Sequence, residues 1–214
     1  MIKYLLFILL VVQDLMAYSE SPYKVVHQTD TYEIRFYEER LVVQTQYTNQ
    51  NNGFRKLFNY ISGNNKQSEK IAMTTPVNVT QIENEYVMQF YLPNNYKPNE
   101  IPLPSDKSVK ISSLEPGYFA VIRYSGFASD KNFYKHRDVL KSELISDNIE
   151  VIGPAIKATY DGPFTLPNLR RNEAIFQVDW KETLCCLLIA PIISLTQILI
   201  DMDSIALSRY SLDA

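Results

Sequence analysis

The chain carries an internal repeat. Residues 32–47 read YEIRFYEERLVVQTQY, and residues 109–124 read VKISSLEPGYFAVIRY. Laid one over the other, Glu38 falls on Glu115, Leu41 on Tyr118 and Tyr47 on Tyr124. Each copy then runs into a helical pattern, GFRKLFNYISG in the first and DKNFYKHRDVLKSELI in the second. Each returns to extended sequence around a proline, Pro76 and Pro154, and ends in a similar strand, NEYVMQ at 84–89 and NEAIFQ at 172–177. Two copies of one unit, each about half a domain, are expected to pack around a pseudo-two-fold axis. A ligand or partner site then falls on or between the units. The repeat speaks to fold and does not by itself name a function.

Residues 23–180 read as alternating strands with two helices. Strands are expected at 23–27, 32–37, 41–47, 71–79 and 86–92, with the paired carboxylates Glu38-Glu39 at a tight turn. Phe54, Leu57, Phe58 and Ile61 fall at i, i+3, i+4 and i+7, the template of an amphipathic helix, which Gly63 stops. Pro93, Pro98, Pro102 and Pro104 mark the linker between the units. The second unit offers strands at 109–114, 118–125, 150–152, 156–160 and 173–178. Its helix is capped by Asp130 and buries Phe133, Leu140 and Leu144. Strand-rich halves with one helix each make an α+β fold, a closed or nearly closed antiparallel sheet with two helices outside.

The two ends differ from the middle. Lys3, nine apolar residues at 4–12 and a small residue at Ala17 describe a signal peptide over residues 1–17. That run is too short to span a bilayer comfortably, which takes ~20 residues. The uncharged run LCCLLIAPIISLTQILI at 184–200 has three readings: a membrane anchor, an amphipathic or docked helix, or a tail without evolved structure. The repeat closes at Val178, so the apolar C-terminal tail, 181–214, is expected to be dispensable for folding. The ligand-binding domain is thus placed at 18–180, and the protein outside the cytosol.

The chemistry-bearing residues are few. With a net charge of −3 and acids and bases mixed, no basic stripe suggests nucleic acid. The two cysteines are the neighbours Cys185 and Cys186, which gives neither a disulfide framework nor a CxxC metal site. Of the two histidines, His27 ends a strand and His136 flanks the buried face of the second helix, so no zinc constellation forms. There is no nucleophile elbow and no phosphate loop. Glu38-Glu39 reads as a solvated turn rather than an acid/base pair. No catalytic residue and no metal ligand is assigned, and the inventory leans to a binding module rather than an enzyme. Fifteen tyrosines and ten phenylalanines serve core packing first, and some can line an apolar cleft for a flat ligand.

Three segments carry a resemblance. They are Tyr32-Glu33-Ile34-Arg35-Phe36-Tyr37, Lys70-Ile71-Ala72-Met73-Thr74-Thr75-Pro76-Val77, and Leu166-Pro167-Asn168-Leu169-Arg170-Arg171-Asn172-Glu173. In this order and spacing they resemble the signature runs of the SOUL haem-binding protein family, over residues 22–178. The resemblance implies a duplicated β-α-β unit forming a distorted eight-stranded antiparallel barrel flanked by two helices. It also implies non-covalent binding of haem or a related porphyrin in an apolar groove beside the first helix. Members that ligate iron carry a histidine at the position of Phe36, and phenylalanine cannot coordinate iron. Others hold the ring by apolar contacts, with basic side chains of the first helix meeting the propionates. Those basic positions align with Asn51 and Asn59 here, and Arg55 or Lys56 is their substitute. The resemblance therefore assigns the ring to Phe54, Arg55, Leu57, Phe58 and Ile61 of the helix. Tyr160 and Phe164 belong to the closing loop Tyr160-Asp161-Gly162-Pro163-Phe164, and Arg170 joins the set. Arg170-Arg171 reads either as a propionate clamp or as arginines held by Glu173 and loop carbonyls, the second being favoured. Met73 reads either as an iron ligand or, in preference, as barrel filling. The alternative function is a module of the same fold for another flat apolar ligand or a protein partner.

Overall fold

A computed structural model describes residues 19–48 and 53–181. Residues 1–18, the helix-start position Asn51 and the 184–200 run lie outside the described residues. In chain order the elements are β1 (Ser19–Glu20), β2 (Lys24–Gln28), β3 (Glu33–Tyr37), β4 (Arg40–Tyr47), α1 (Gly53–Ile61), β5 (Thr74–Thr75), β6 (Val77–Ile82), β7 (Glu85–Tyr91), β8 (Val109–Leu114), β9 (Gly117–Tyr124), α2 (Asp130–Ser146), β10 (Glu150–Val151), β11 (Ile156–Thr159) and β12 (Asn172–Asp179). A single 3-10 turn, Pro167–Leu169, precedes β12.

The main sheet runs β2-β3-β9-β12-β11-β6-β7-β4-β8, with β10 alongside β12. Every pairing in it is antiparallel. The sheet curls into a half-barrel with the two helices outside. Without the edge strand β2 and the short β10, eight strands remain. Their order reads alike from both ends, because β3, β9, β12 and β11 answer to β8, β4, β7 and β6. The centre of that pattern is the β11–β6 pair, where Ile156 lies opposite Thr80 and Thr159 opposite Val77.

The first strand of each unit does not pair with the second strand of its own unit. β3 pairs with β9, and β8 pairs with β4. The exposed Glu38-Glu39 turn therefore carries the chain from one half of the sheet to the other. The expected long strand at 71–79 is also divided. β5 pairs in parallel with β1, and β6 starts only after the cis Thr75–Pro76 peptide.

Each helix covers one face of its half. Phe133, Leu140 and Leu144 of α2 pack with Ile34, Ala120, Ile122, Ala174, Phe176 and Val178. On β9 and β12 those residues alternate with Phe119, Val121 and Ile175, which pack in a separate cluster with Tyr37 and Ala158. Leu57, Tyr60 and Ile61 of α1 pack with Val43, Met88, Phe90 and Val109. The N-cap of α2 is Ser129, whose hydroxyl accepts from Asn132 N–H, so the cap sits one residue before the expected Asp130. After α1 the chain turns through Gly63 at φ 108°, a backbone region that favours glycine.

Candidate functional site

α1 has nine residues and α2 has seventeen. The shorter helix packs on β4, β7 and β8, leaving the β6 side of its half-sheet open. The result is a groove of about 900 Å³ between α1, β6, β7, β11, the start of α2 and residues 159–163. That volume lies at the upper end of the ~300–1,000 Å³ range of small-molecule sites.

Two aromatic pairs face this space. Phe54 and Phe58, one turn apart on α1, are stacked at 5.9 Å and 13°. Tyr47 and Tyr86, opposite each other on β4 and β7, are stacked at 5.5 Å and 25°. Burial, helped by Tyr86 and Asp130, pushes the Tyr47 phenol up. The Tyr47 ring lies so close to Gly53 that a Cβ there would meet it at 2.7 Å, so any larger residue at the start of α1 would have to displace that ring. Met73, Val77, Val79 and Met88 make the apolar floor. At one end, Lys157 Nζ donates to Asp130 at 2.8 Å.

Tyr160 forms a wall of the groove and reaches into the core. Its hydroxyl donates to Glu173 at 2.7 Å, and the Arg171 guanidinium lies 3.7 Å from its ring centre. Glu173 is fully buried and also accepts from Arg35 at 2.9 and 3.1 Å and from Arg171 Nε at 2.9 Å. Arg171 continues to Glu20 through two 2.9 Å bonds, and Arg35 to Glu33 and Tyr37. Burial drives the Glu173 carboxyl up, but Arg35, Arg171 and the Tyr160 hydroxyl outweigh it, and the net result is a carboxyl below the usual range. Burial pushes the Tyr37 phenol in the same network up to about 12. These contacts fix where Tyr160 stands, so a polar core positions an apolar wall.

The predicted residues divide into groups. Phe54, Phe58 and Tyr160 line the groove. Leu57 and Ile61 do not: they are 0% and 5% exposed and belong to the core beneath α1. The helix face read as one apolar stripe is therefore split, with two residues down and two beside the groove. Arg55 is exposed on α1 outside the lining, and Lys56 lies with Asn59 and Asp106 around a separate small cavity. Phe164 is 99% exposed and does not line the groove, although Gly162 and Pro163 of its loop do. Arg170 is occupied by the backbone, donating to Thr165 O at 2.8 Å and Pro163 O at 2.5 Å. Phe36 lies against Tyr118 on β9, away from the groove. His136 stacks on Tyr124 at 4.1 Å, and His27 lies tilted against Trp180 at 5.0 Å. Among the described residues no histidine lines the groove and no metal-holding cluster of His, Cys, Asp and Glu forms.

The sequence reading missed Tyr47, Val77, Val79, Tyr86 and Met88 as lining. Their period-two alternation was visible, but it matches core strands as well. Met73 packs at the edge of the core cluster and also faces the groove.

The site is an aromatic groove on an α+β half-barrel, and among the described residues no group of His, Cys, Asp and Glu that could hold a metal forms. A family model described as SOUL heme-binding protein matches residues 18–177, and the chain belongs to that family. It is 29% identical over 126 residues to heme-binding protein 1 of Mus musculus, covering 55% of this chain and 65% of that protein. It is 28% identical over 128 residues to heme-binding protein 1 of Xenopus tropicalis, covering 56% and 66%. Both matches span just under two thirds of those relatives. Heme-binding protein 2 of Mus musculus is 26% identical over 178 residues, covering 76% of this chain and 85% of that protein. Among solved structures, an uncharacterized conserved protein from Listeria innocua matches with a TM-score of 0.55 at 8% identity, over 71% of this chain and 94% of that one. The EcmrR C-terminal domain matches at 0.54 and 10% identity, over 74% and 99%. These two show a shared fold.

Proposed function

We propose that this protein carries or buffers haem or a related tetrapyrrole, bound non-covalently in the groove between α1 and β6 without a strong protein axial ligand. The supporting observation is an aromatic groove of about 900 Å³ in a haem-binding family, lined by no histidine among the described residues. Phe54 and Phe58 offer one apolar surface to the ring, and Tyr47, Tyr86 and the floor offer others. At ~25 cal/mol per Å² of apolar surface removed from water, covering most of a porphyrin supplies the ~8 kcal/mol that micromolar affinity requires. The thioethers of Met73 and Met88 are soft groups that pack against a polarizable ring.

Titration with haemin and with iron-free protoporphyrin tests the reading. Both are expected to bind with affinities within a few-fold of each other. His136→Ala and His27→Ala are expected to change neither, because each ring is engaged with an aromatic partner away from the groove. A hundredfold preference for haemin that either substitution abolishes overturns the ligand-free iron.

The same proposal gives residues 18–180 as the binding domain, residues 1–17 as a leader, and a place outside the cytosol, with residues 184–200 as an attachment segment. Mass spectrometry of protein from its native host is expected to show a chain starting near Tyr18. An intact Met1 on cytosolic protein overturns it.

A further inference from the structure

The charges around the groove do not match a site built for an anion. Among the described residues three charged side chains line it, Asp130, Lys157 and Asp161. Lys157 is paired with Asp130 at 2.8 Å. Asp161 accepts the backbone N–H of Arg171 at 2.6 Å. A neighbouring cavity of about 210 Å³ shares Val79, Tyr86, Asp130 and Lys157 with the groove and adds Glu83 and Arg137. Arg137 is engaged by Asp138 at 2.6 Å and lies over the Tyr134 ring at 4.6 Å. The groove's cation Lys157 is thus already matched by a carboxylate, as is Arg137 of the neighbouring cavity, and the groove itself carries one more carboxylate than cations. Five aromatic rings, Tyr47, Phe54, Phe58, Tyr86 and Tyr160, complete the lining.

A cation over an aromatic face is attracted by the ring quadrupole, and a nearby carboxylate adds to this. An anion entering the same space meets the excess carboxylate and finds no unpaired lining cation. We propose that the groove accepts flat lipophilic cations, delocalised aromatic ions with an apolar body, and takes acidic tetrapyrroles only with their carboxylates turned out to solvent. This rests on the groove being the ligand site proposed above. The carboxylates of Asp130 and Asp161 set the sign of the preference, and the aromatic pairs supply the contact area.

The test is equilibrium titration of the full chain with two flat xanthene dyes of opposite charge, rhodamine 6G and fluorescein, beside haemin and haemin dimethyl ester. Rhodamine 6G is expected to bind about tenfold tighter than fluorescein, a ratio that shrinks as salt is raised. The dimethyl ester is expected to bind at least as well as haemin. Asp161→Asn and Asp130→Asn should each reduce the dye ratio, and the double variant should invert it. Phe54→Ala with Phe58→Ala should weaken both dyes. Equal dye affinities, tighter fluorescein, or an ester bound tenfold worse than haemin overturns the proposal and leaves haem binding standing. If rhodamine 6G binds in this way while haemin does not bind, the haem reading fails and this one holds.

Discussion

Glu173→Ala is expected to destabilise the domain by about 3–5 kcal/mol, the loss typical when one member of a buried ion pair is removed. Glu173 is 0% exposed and faces Arg35, whose side chain is 2% exposed. Arg171 and the Tyr160 hydroxyl converge on the same carboxylate. Removing it leaves Arg35 buried with only Glu33 as a carboxylate partner, and strips Arg171 of one of its two. Urea unfolding at neutral pH measures the loss.

The carboxyl is held below its ordinary value in the folded state, so its stabilising contribution is present above the unfolded pKa. It fades as the pH falls through the folded one. The native protein is expected to lose stability below about pH 4.5, and the variant to lose less over the same window. An unfolding free energy in Glu173→Ala that stays within about 0.5 kcal/mol of the parent at neutral pH, a bound of the size seen for ordinary surface changes, refutes the network's role. The same variant is expected to weaken ligand binding even where it stays folded, because Tyr160 loses the partner that holds it against the groove.

The sequence showed the parts whose signal is local. The face Phe133, Leu140, Leu144 is buried as its spacing indicated, because a seventeen-residue helix has room to express its period over a flat strand surface. Gly63 ends α1 with a positive φ. Arg170 went to loop carbonyls, and Arg171 to Glu20 and Glu173, which is the second of the two readings of that pair. The partner exchange between units was not legible. β3 and β4 are joined by two residues yet pair with different strands, and no short-range pattern distinguishes that from a hairpin. The site was half legible for the same reason. The spacing of Phe54, Leu57, Phe58 and Ile61 shows an apolar sector. Only the sheet tells which of its edges is covered. Met73 read as filling, and Val77 and Met88 were not singled out, because a groove floor and a core have the same composition. Phe164 read as a ring contact from its place in the loop, but its backbone turns the side chain to solvent.

Phe58→Asp is expected to weaken haemin and protoporphyrin binding by about a hundredfold, or ~2.7 kcal/mol, while leaving the fold intact. Phe58 is 48% exposed and touches the groove, not the core beneath α1, so its loss removes little packing. The aspartate has no lining cation to meet, since Lys157 is engaged by Asp130. A ring seated on α1 must then either desolvate the new carboxylate or withdraw from the helix. Phe58→Ala separates the two contributions: it loses the contact with the ring but brings no charge, and a smaller effect of about tenfold is expected. Leu57→Ala, one residue earlier, is the contrast. Its side chain is 0% exposed in the core cluster, so it should cost about 2–5 kcal/mol of stability and alter affinity less. Thermal unfolding and porphyrin titration of the three variants place each residue on one side of that division. An unchanged dissociation constant in Phe58→Asp moves the porphyrin off α1 altogether, because no pose against the Phe54–Phe58 pair avoids the new charge.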